Sequence, residues 1–202
     1  MSFFKKIFGS GSDTSDENKD KDVSPFNPEL KIPVDEQFTF NFKKNGGKFL
    51  YCENIDEVKD QLLNILEEND WFECEALCYE PKLFHLLEEN KLNFTTPKDP
   101  KFILCGCENL IAFDGSILLT SNQIKQNKIN ELPANMIVFA TTSQILESKS
   151  DGLREIKKRY DKAKAYPTNI TTITYFEKAK EEDFMHYGSS AKNLYLLLIE
   201  DL

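Results

Sequence analysis

The residues of this chain best suited to chemistry gather around one stretch. Asp114 offers a carboxylate for proton transfer, and the polar segment after it carries Ser121, Asn122, Lys125 and Lys128, whose hydroxyl, amide and ammonium groups suit a small anion. Much later, His186 precedes Tyr187-Gly188-Ser189-Ser190, a turn-forming run ahead of an apolar segment. An imidazole there can exchange protons near neutral pH. Asp114 and His186 are therefore the candidate catalytic groups. Gly115, Ser116, Ser121, Asn122, Lys125, Lys128, Gly188 and Ser189 form the candidate ligand-binding set. In an open α/β sheet such groups meet at the carboxyl ends of strands, where loops and helix N-termini supply donors. The plainer alternative is an exposed connection whose charges only solvate it.

Other reactive side chains point to less. Cys74-x3-Cys78 and Cys105-x-Cys107 reproduce neither the zinc-knuckle spacing nor an iron–sulphur run, so no metal and no cofactor are expected. An odd total of 5 cysteines does not suggest a disulfide framework, and buried thiols in a reducing cytoplasm account for them. His85 lies in an apolar helical run and reads as structural. There is no glycine-rich phosphate loop and no nucleophile elbow, so nothing specific points to nucleotide hydrolysis or serine-hydrolase chemistry. With 34 acidic against 25 basic residues the formal charge is −9, which opposes nonspecific attraction to nucleic acid or an anionic membrane.

These groups must be positioned by alternating elements. Residues 1–24 are expected to be a disordered tail: Ser10 to Val23 has too little apolar surface to repay its ordering entropy. The tail opens with Phe3, Phe4, Ile7 and Phe8 beside Lys5 and Lys6, a short amphipathic start suited to weak peripheral docking and too short for a secretory signal. Residues 25–48 read as an extended arm in which Thr39 to Phe42 adds an edge strand. Asn45-Gly46-Gly47 then turns the chain into a strand over Lys48 to Cys52. Val58, Leu62, Ile65 and Leu66 share a helix face capped by Asn54 or Asp56, and Pro81 opens a second helix carrying Leu83, Phe84, Leu86 and Leu87. Lys101 to Gly106, Met136 to Ala140 and Ile170 to Thr174 alternate with helical segments at Gln144 to Glu147 and Gly152 to Ala163. Asp114-Gly115 signals a tight hairpin between Ile111–Phe113 and Ile117–Leu119, whose stretch should neighbour Met136–Ala140 in one buried sheet. No run approaches transmembrane length.

The run from Cys107 to Ala140 resembles the central segment of the lactate-utilisation (LUD) domain family, in which a strand-turn-strand Ala-Glu-Thr-Gly-(Thr/Ser)-(Ile/Leu) precedes a polar loop, Leu-Pro and an apolar strand. Ala112 and Gly115-Ser116-Ile117 match the first part; Leu132-Pro133 and Met136 to Val138 match the second. Gln144-Ile145 fits the family's helix after that strand, and Gly188 with Leu194 to Glu200 its closing turn and last strand. Phe113 stands where the family has glutamate and Asp114 where it has threonine. The polar loop lacks the family's arginine, for which Lys125, Gln126 or Lys128 could substitute. A Gly-Pro-Ser signature is not recognisable between Ile173 and Gly188.

The resemblance implies a divergent, LutC/YkgG-like member whose residues 49–202 form an α/β domain: a three-layer sandwich with a mainly parallel mixed sheet, similar to the NagB/RpiA/CoA-transferase-like fold. It implies an accessory or partner-binding protein of organic-acid use, L-lactate among the acids, working with an iron–sulphur redox protein and carrying a changed site for a small anionic ligand. The competing expectation is an enzyme acting on a phosphorylated or coenzyme A-linked acid.

Overall fold

A computed structural model describes residues 32–176 and 192–201. The first described helix, α1 (Val34–Lys44), corrects the extended arm and its edge strand. Phe38, Phe40 and Phe42 alternate as a strand would, but only the i, i+4 pair Phe38 and Phe42 is buried, while Phe40 is 67% exposed. Their rings stack with centroids 5.4 Å apart, and Phe42 also meets Phe176 at 4.8 Å. Asp35 and Glu36 open the helix and Lys43 and Lys44 close it, each complementing the helix dipole.

The chain then turns at Asn45-Gly46-Gly47 into β1 (Lys48–Cys52). A Cβ on Gly47 would lie 2.4 Å from the Phe42 ring, so only glycine lets α1 fold back this closely. Next comes α2 (Ile55–Asn69), whose N-terminus is capped by the Asn54 side chain accepting from the Glu57 N–H at 3.0 Å. Its buried stripe is the expected Val58, Leu62, Ile65 and Leu66. After β2 (Ala76–Leu77), Pro81–Leu83 make a 3-10 turn leading into α3 (Phe84–Glu89). The remaining elements are β3 (Phe102–Gly106), β4 (Asn109–Ile111), β5 (Ser116–Thr120), α4 (Ser121–Ile124), β6 (Asn135–Thr141), β7 (Ile145–Leu146), α5 (Lys149–Ala163), β8 (Ile170–Ile173) and β9 (Asn193–Ile199).

The fold is α/β with mixed parallel and antiparallel pairing, consistent with a three-layer sandwich, but the strands divide into two sheets. One is wholly parallel in the order β1-β9-β6-β3-β2; the other runs β7-β4-β5-β8 and is mixed. The hairpin β4–β5 therefore does not neighbour β6, whose partners are β3 and β9. On one face of the parallel sheet, Phe102, Leu104, Ile137, Tyr195 and Leu197 pack with the α2 stripe, Leu86, Leu87 and Trp71. Ile103, Cys105, Met136, Val138, Leu196 and Leu198 on the opposite face are equally buried, as continuous apolar parallel strands require. In the second sheet, Ile111 and Leu118 pack on Ile156 of α5.

Two further expectations change. The hairpin loop has four residues, 112–115, because Ile111 pairs with Ser116. Ala112 and Phe113 leave the hairpin to donate their N–H groups to Leu146 O and Glu147 O, at 2.8 and 3.0 Å. Their carbonyls accept from Asn41 Nδ2 of α1. With those groups satisfied elsewhere, a two-residue turn has no advantage. Gly115 still takes the positive φ expected of it, +68°, and its Cα faces the α1 backbone so closely that a Cβ would lie 2.4 Å from Phe42 N. The helix expected at Gln144–Ile145 is instead a 3-10 turn, Thr142–Gln144, running into β7; α5 begins only after Ser148, whose hydroxyl accepts from the Asp151 N–H.

Candidate functional site

An open cleft of about 540 Å³ lies past the carboxyl ends of β2 and β3, where the chain leaves the parallel sheet and enters the second one. Its wall is built around Glu108, two residues after β3 ends, which is 2% exposed. Glu108 Oε1 accepts from Tyr160 OH at 2.7 Å, Gln123 Nε2 at 3.1 Å and Thr120 Oγ1 at 3.0 Å, while Oε2 pairs with Arg159 Nη1 at 2.5 Å. A buried carboxylate needs this number of donors and a cation to remain in place.

Each partner is itself held. Thr120 ends β5 and caps α4, accepting from the Asn122 N–H, and Gln123 Oε1 accepts from the Thr120 N–H at 2.8 Å. Arg159 and Tyr160 follow Ile156 on α5 by three and four residues, so the helix that buries Ile156 brings both to the cleft. Asn122 Nδ2 in turn donates to Tyr160 OH. Gln144 Nε2 donates to the Cys107 and Glu108 carbonyls at 2.7 and 3.2 Å, fixing the backbone on which Glu108 rides. Across the cleft, Glu80 accepts from the Gly106 N–H and pairs with Lys82 Nζ at 3.1 Å. Lys125 Nζ sits 5.7 Å from the centre of the Tyr79 ring.

Burial, and then hydrogen bonding to the Glu108 carboxylate, raises the Tyr160 phenol above its ordinary range. Cys107 also lines the cleft; burial first, then Glu108 and Glu80, hold its thiol far above the ordinary value, so it is no thiolate nucleophile at neutral pH. Among the described residues no group of three or more His, Cys, Asp or Glu is placed to hold a metal ion.

Of the residues singled out in the sequence, Asn122 and Lys125 line this cleft. Ser121, Gly115, Ser116, Asp114 and Lys128 do not. Asp114 closes the β4–β5 loop: Oδ1 accepts from Ser116 Oγ at 2.6 Å and its N–H at 3.2 Å, and Oδ2 pairs with Lys149 Nζ at 2.6 Å. Partial burial pushes its carboxyl upward, but the hydrogen bond to the Lys149 ammonium and the Ser116 hydroxyl outweighs that and holds it below its ordinary value. Ser121 Oγ accepts from the Thr168 N–H, and the Lys128 N–H donates to Glu131. His186, Gly188 and Ser189 lie outside the described residues.

A family model described as the LUD domain matches residues 87–199, a span that begins in α3 and contains Glu108, Lys125, Arg159 and Tyr160. The chain belongs to the LUD domain family. No curated protein matches it. Among solved structures, a DUF162 family protein from Deinococcus radiodurans superposes with a TM-score of 0.55 at 11% identity, covering 86% of this chain and 100% of its own. That likeness is one of fold. A ribose 5-phosphate isomerase A from Methanocaldococcus jannaschii reaches a TM-score of 0.31 at 8% identity, over 64% of this chain and 67% of its own. No helix among the described residues of this LUD domain protein is long and apolar enough to cross a membrane.

Sequence reading missed Glu80, Lys82, Glu108, Arg159 and Tyr160. A signal for Glu108 was present: it is the one charged residue of the mostly apolar Phe102–Ile111 run, where an unpaired charge would not be buried.

Proposed function

We propose that the cleft binds a small organic anion and that the protein serves organic-acid utilisation as an accessory or partner-binding component, with L-lactate the acid to test first. One observation carries the reading: the cleft gathers three cations, Arg159, Lys82 and Lys125, against two carboxylates, and because Glu108 pairs with Arg159 and Glu80 with Lys82, the charge of Lys125 is left in excess. A chain of net charge −9 thus presents locally unmatched positive charge in one concave place.

Membership of the family supports the pathway, and the LutC/YkgG-like resemblance supports a redox partner carrying an iron–sulphur cluster. The kinship to NagB/RpiA/CoA-transferase-like folds belongs to the same reading. Free, mostly buried thiols support a reducing compartment such as the cytoplasm. A second reading, an enzyme acting on a phosphorylated or coenzyme A-linked acid, is favoured by a volume well beyond that of a three-carbon acid.

Calorimetric titration of the full chain with L-lactate tests the first reading, with Arg159→Ala as control. Binding that weakens about tenfold or more in the variant supports it, as loss of a charged hydrogen bond should. No heat with any small anion, no cluster-bearing protein recovered from the native cell under gentle reducing conditions, and normal growth on lactate after deletion would together sink it. Turnover of a phosphorylated or coenzyme A-linked acid would favour the second.

A further inference from the structure

Lys125 is placed with unusual care for a surface lysine. It occupies the second position of a β-turn, Ile124 to Asn127, closed by the Asn127 N–H donating to Ile124 O at 3.2 Å. There its backbone has φ 55° and ψ −135°, the conformation of a type II′ turn that glycine takes by preference. The helix C-caps Asp70 and Lys164, also at positive φ, fall instead in the ordinary left-handed well with ψ 50° and 30°. A side chain at the Lys125 position is strained, and residues held in such conformations cluster at functional sites.

The surroundings hold the lysine on the cleft. Asn127 Nδ2 donates both to Tyr79 OH and to Ile124 O, each at 3.0 Å, so the residue that closes the turn also fixes the ring beneath the Lys125 ammonium. Among the described residues Lys125 meets no carboxylate. Arg159 stands on a different element and keeps guanidinium donors beyond the one that meets Glu108. What the cleft leaves open is therefore donors and positive charge on two elements.

We infer that Lys125 is a specificity-determining residue of this cleft, kept strained so that its ammonium and the Arg159 guanidinium can grip one doubly negative ligand, either a phosphate monoester or a dicarboxylate. The inference rests on reading the cleft as an anion site. It adds that a monoanion such as lactate meets only part of that site.

The test measures affinities of inorganic phosphate, succinate and L-lactate for the full chain and for Lys125→Gly, Lys125→Ala and Arg159→Ala, with a thermal melt of each. Phosphate or succinate, according to which source is right, should bind the unmodified chain about tenfold or more tighter than lactate. Both Lys125 variants should abolish that preference, weakening phosphate or succinate about tenfold or more and by a larger factor than they weaken lactate. Lys125→Gly alone should also raise Tm by about 2–4 °C, because glycine relieves the backbone and alanine does not. If phosphate and succinate affinities ignore both Lys125 variants but fall in Arg159→Ala, the role given to Lys125 is wrong and the anion cleft stands. If none of the three anions binds the unmodified chain, the cleft reading falls as well. Equal melting of the Gly and Ala variants overturns the strain argument.

Discussion

Asp114 and Glu108 show how far the environment decides what a carboxylate does. Asp114 ties a loop to the first turn of α5, and its depressed carboxyl makes that tie pH-dependent: the stabilisation is present above its unfolded value near 3.8 and is lost as pH falls through the lower folded value. Asp114→Asn should lower stability by about 1 kcal/mol at pH 7. Urea unfolding in buffers from pH 7 down to pH 2.5 should show the two proteins converging; a gap that persists unchanged in acid would separate the effect from the charge. Glu108 is the opposite case, a buried carboxylate with one cation. Arg159→Ala should cost about 2–4 kcal/mol, and adding Glu108→Gln should recover part of it by removing the orphaned charge. A double-mutant cycle in denaturant with no recovery would mean that Tyr160, Gln123 and Thr120 satisfy Glu108 unaided. Asp114 was visible from the sequence because its glycine neighbour signals a turn. The cleft was not, because Glu108 and Arg159 are 51 residues apart and no local spacing joins them.

At the scale of elements, periodicity was legible wherever one face decides burial. The α2 stripe, the Asn54 cap and the apolar central stretches of β6 and β9 were readable because local pattern and final environment agree. The 34–44 segment was misread because Phe38, Phe40 and Phe42 satisfy a period of two, while the choice of helix is made by rings that arrive from Phe49 and Phe176. The division of the strands into two sheets depends on the link around Cys107–Glu108, where no local pattern tells that the strand after Glu108 and Asn109 joins a different sheet. That α1 is part of the folded body gives a prediction. Phe42→Ala should cost about 3–5 kcal/mol as a fully buried aromatic. Gly115→Ala should cost at least about 1–3 kcal/mol, since it adds an unfavourable φ and a Cβ against the α1 backbone. Chemical denaturation of both variants decides; a midpoint unchanged in either would detach α1 from the core.

For the molecule as a whole, β9 is the strand on which the parallel sheet depends, with β1 along one side and β6 along the other. Deleting residues 194–202 should abolish cooperative unfolding, because the buried Leu194, Leu196, Leu197 and Leu198, at about 1.5–3 kcal/mol each, amount to much of the usual margin of about 5–15 kcal/mol. Deleting residues 1–23 should leave the transition where it is. Limited proteolysis and melting of the two truncations provide the contrast, and a cooperative melt without β9 would refute the central role given to it.

The position of β1 in that sheet also bears on how the protein is made. Its sole strand partner among the described residues is β9, and Lys48 meets Tyr195 across 147 residues of chain. At about 5–20 residues per second, a ribosome needs roughly 7–30 s to reach Tyr195 after adding Lys48. During that interval KFLYC has both backbone edges open and no proline to blunt them. The nascent chain therefore carries a waiting strand, and shielding it until β9 arrives is a task for α1, α2 or a chaperone.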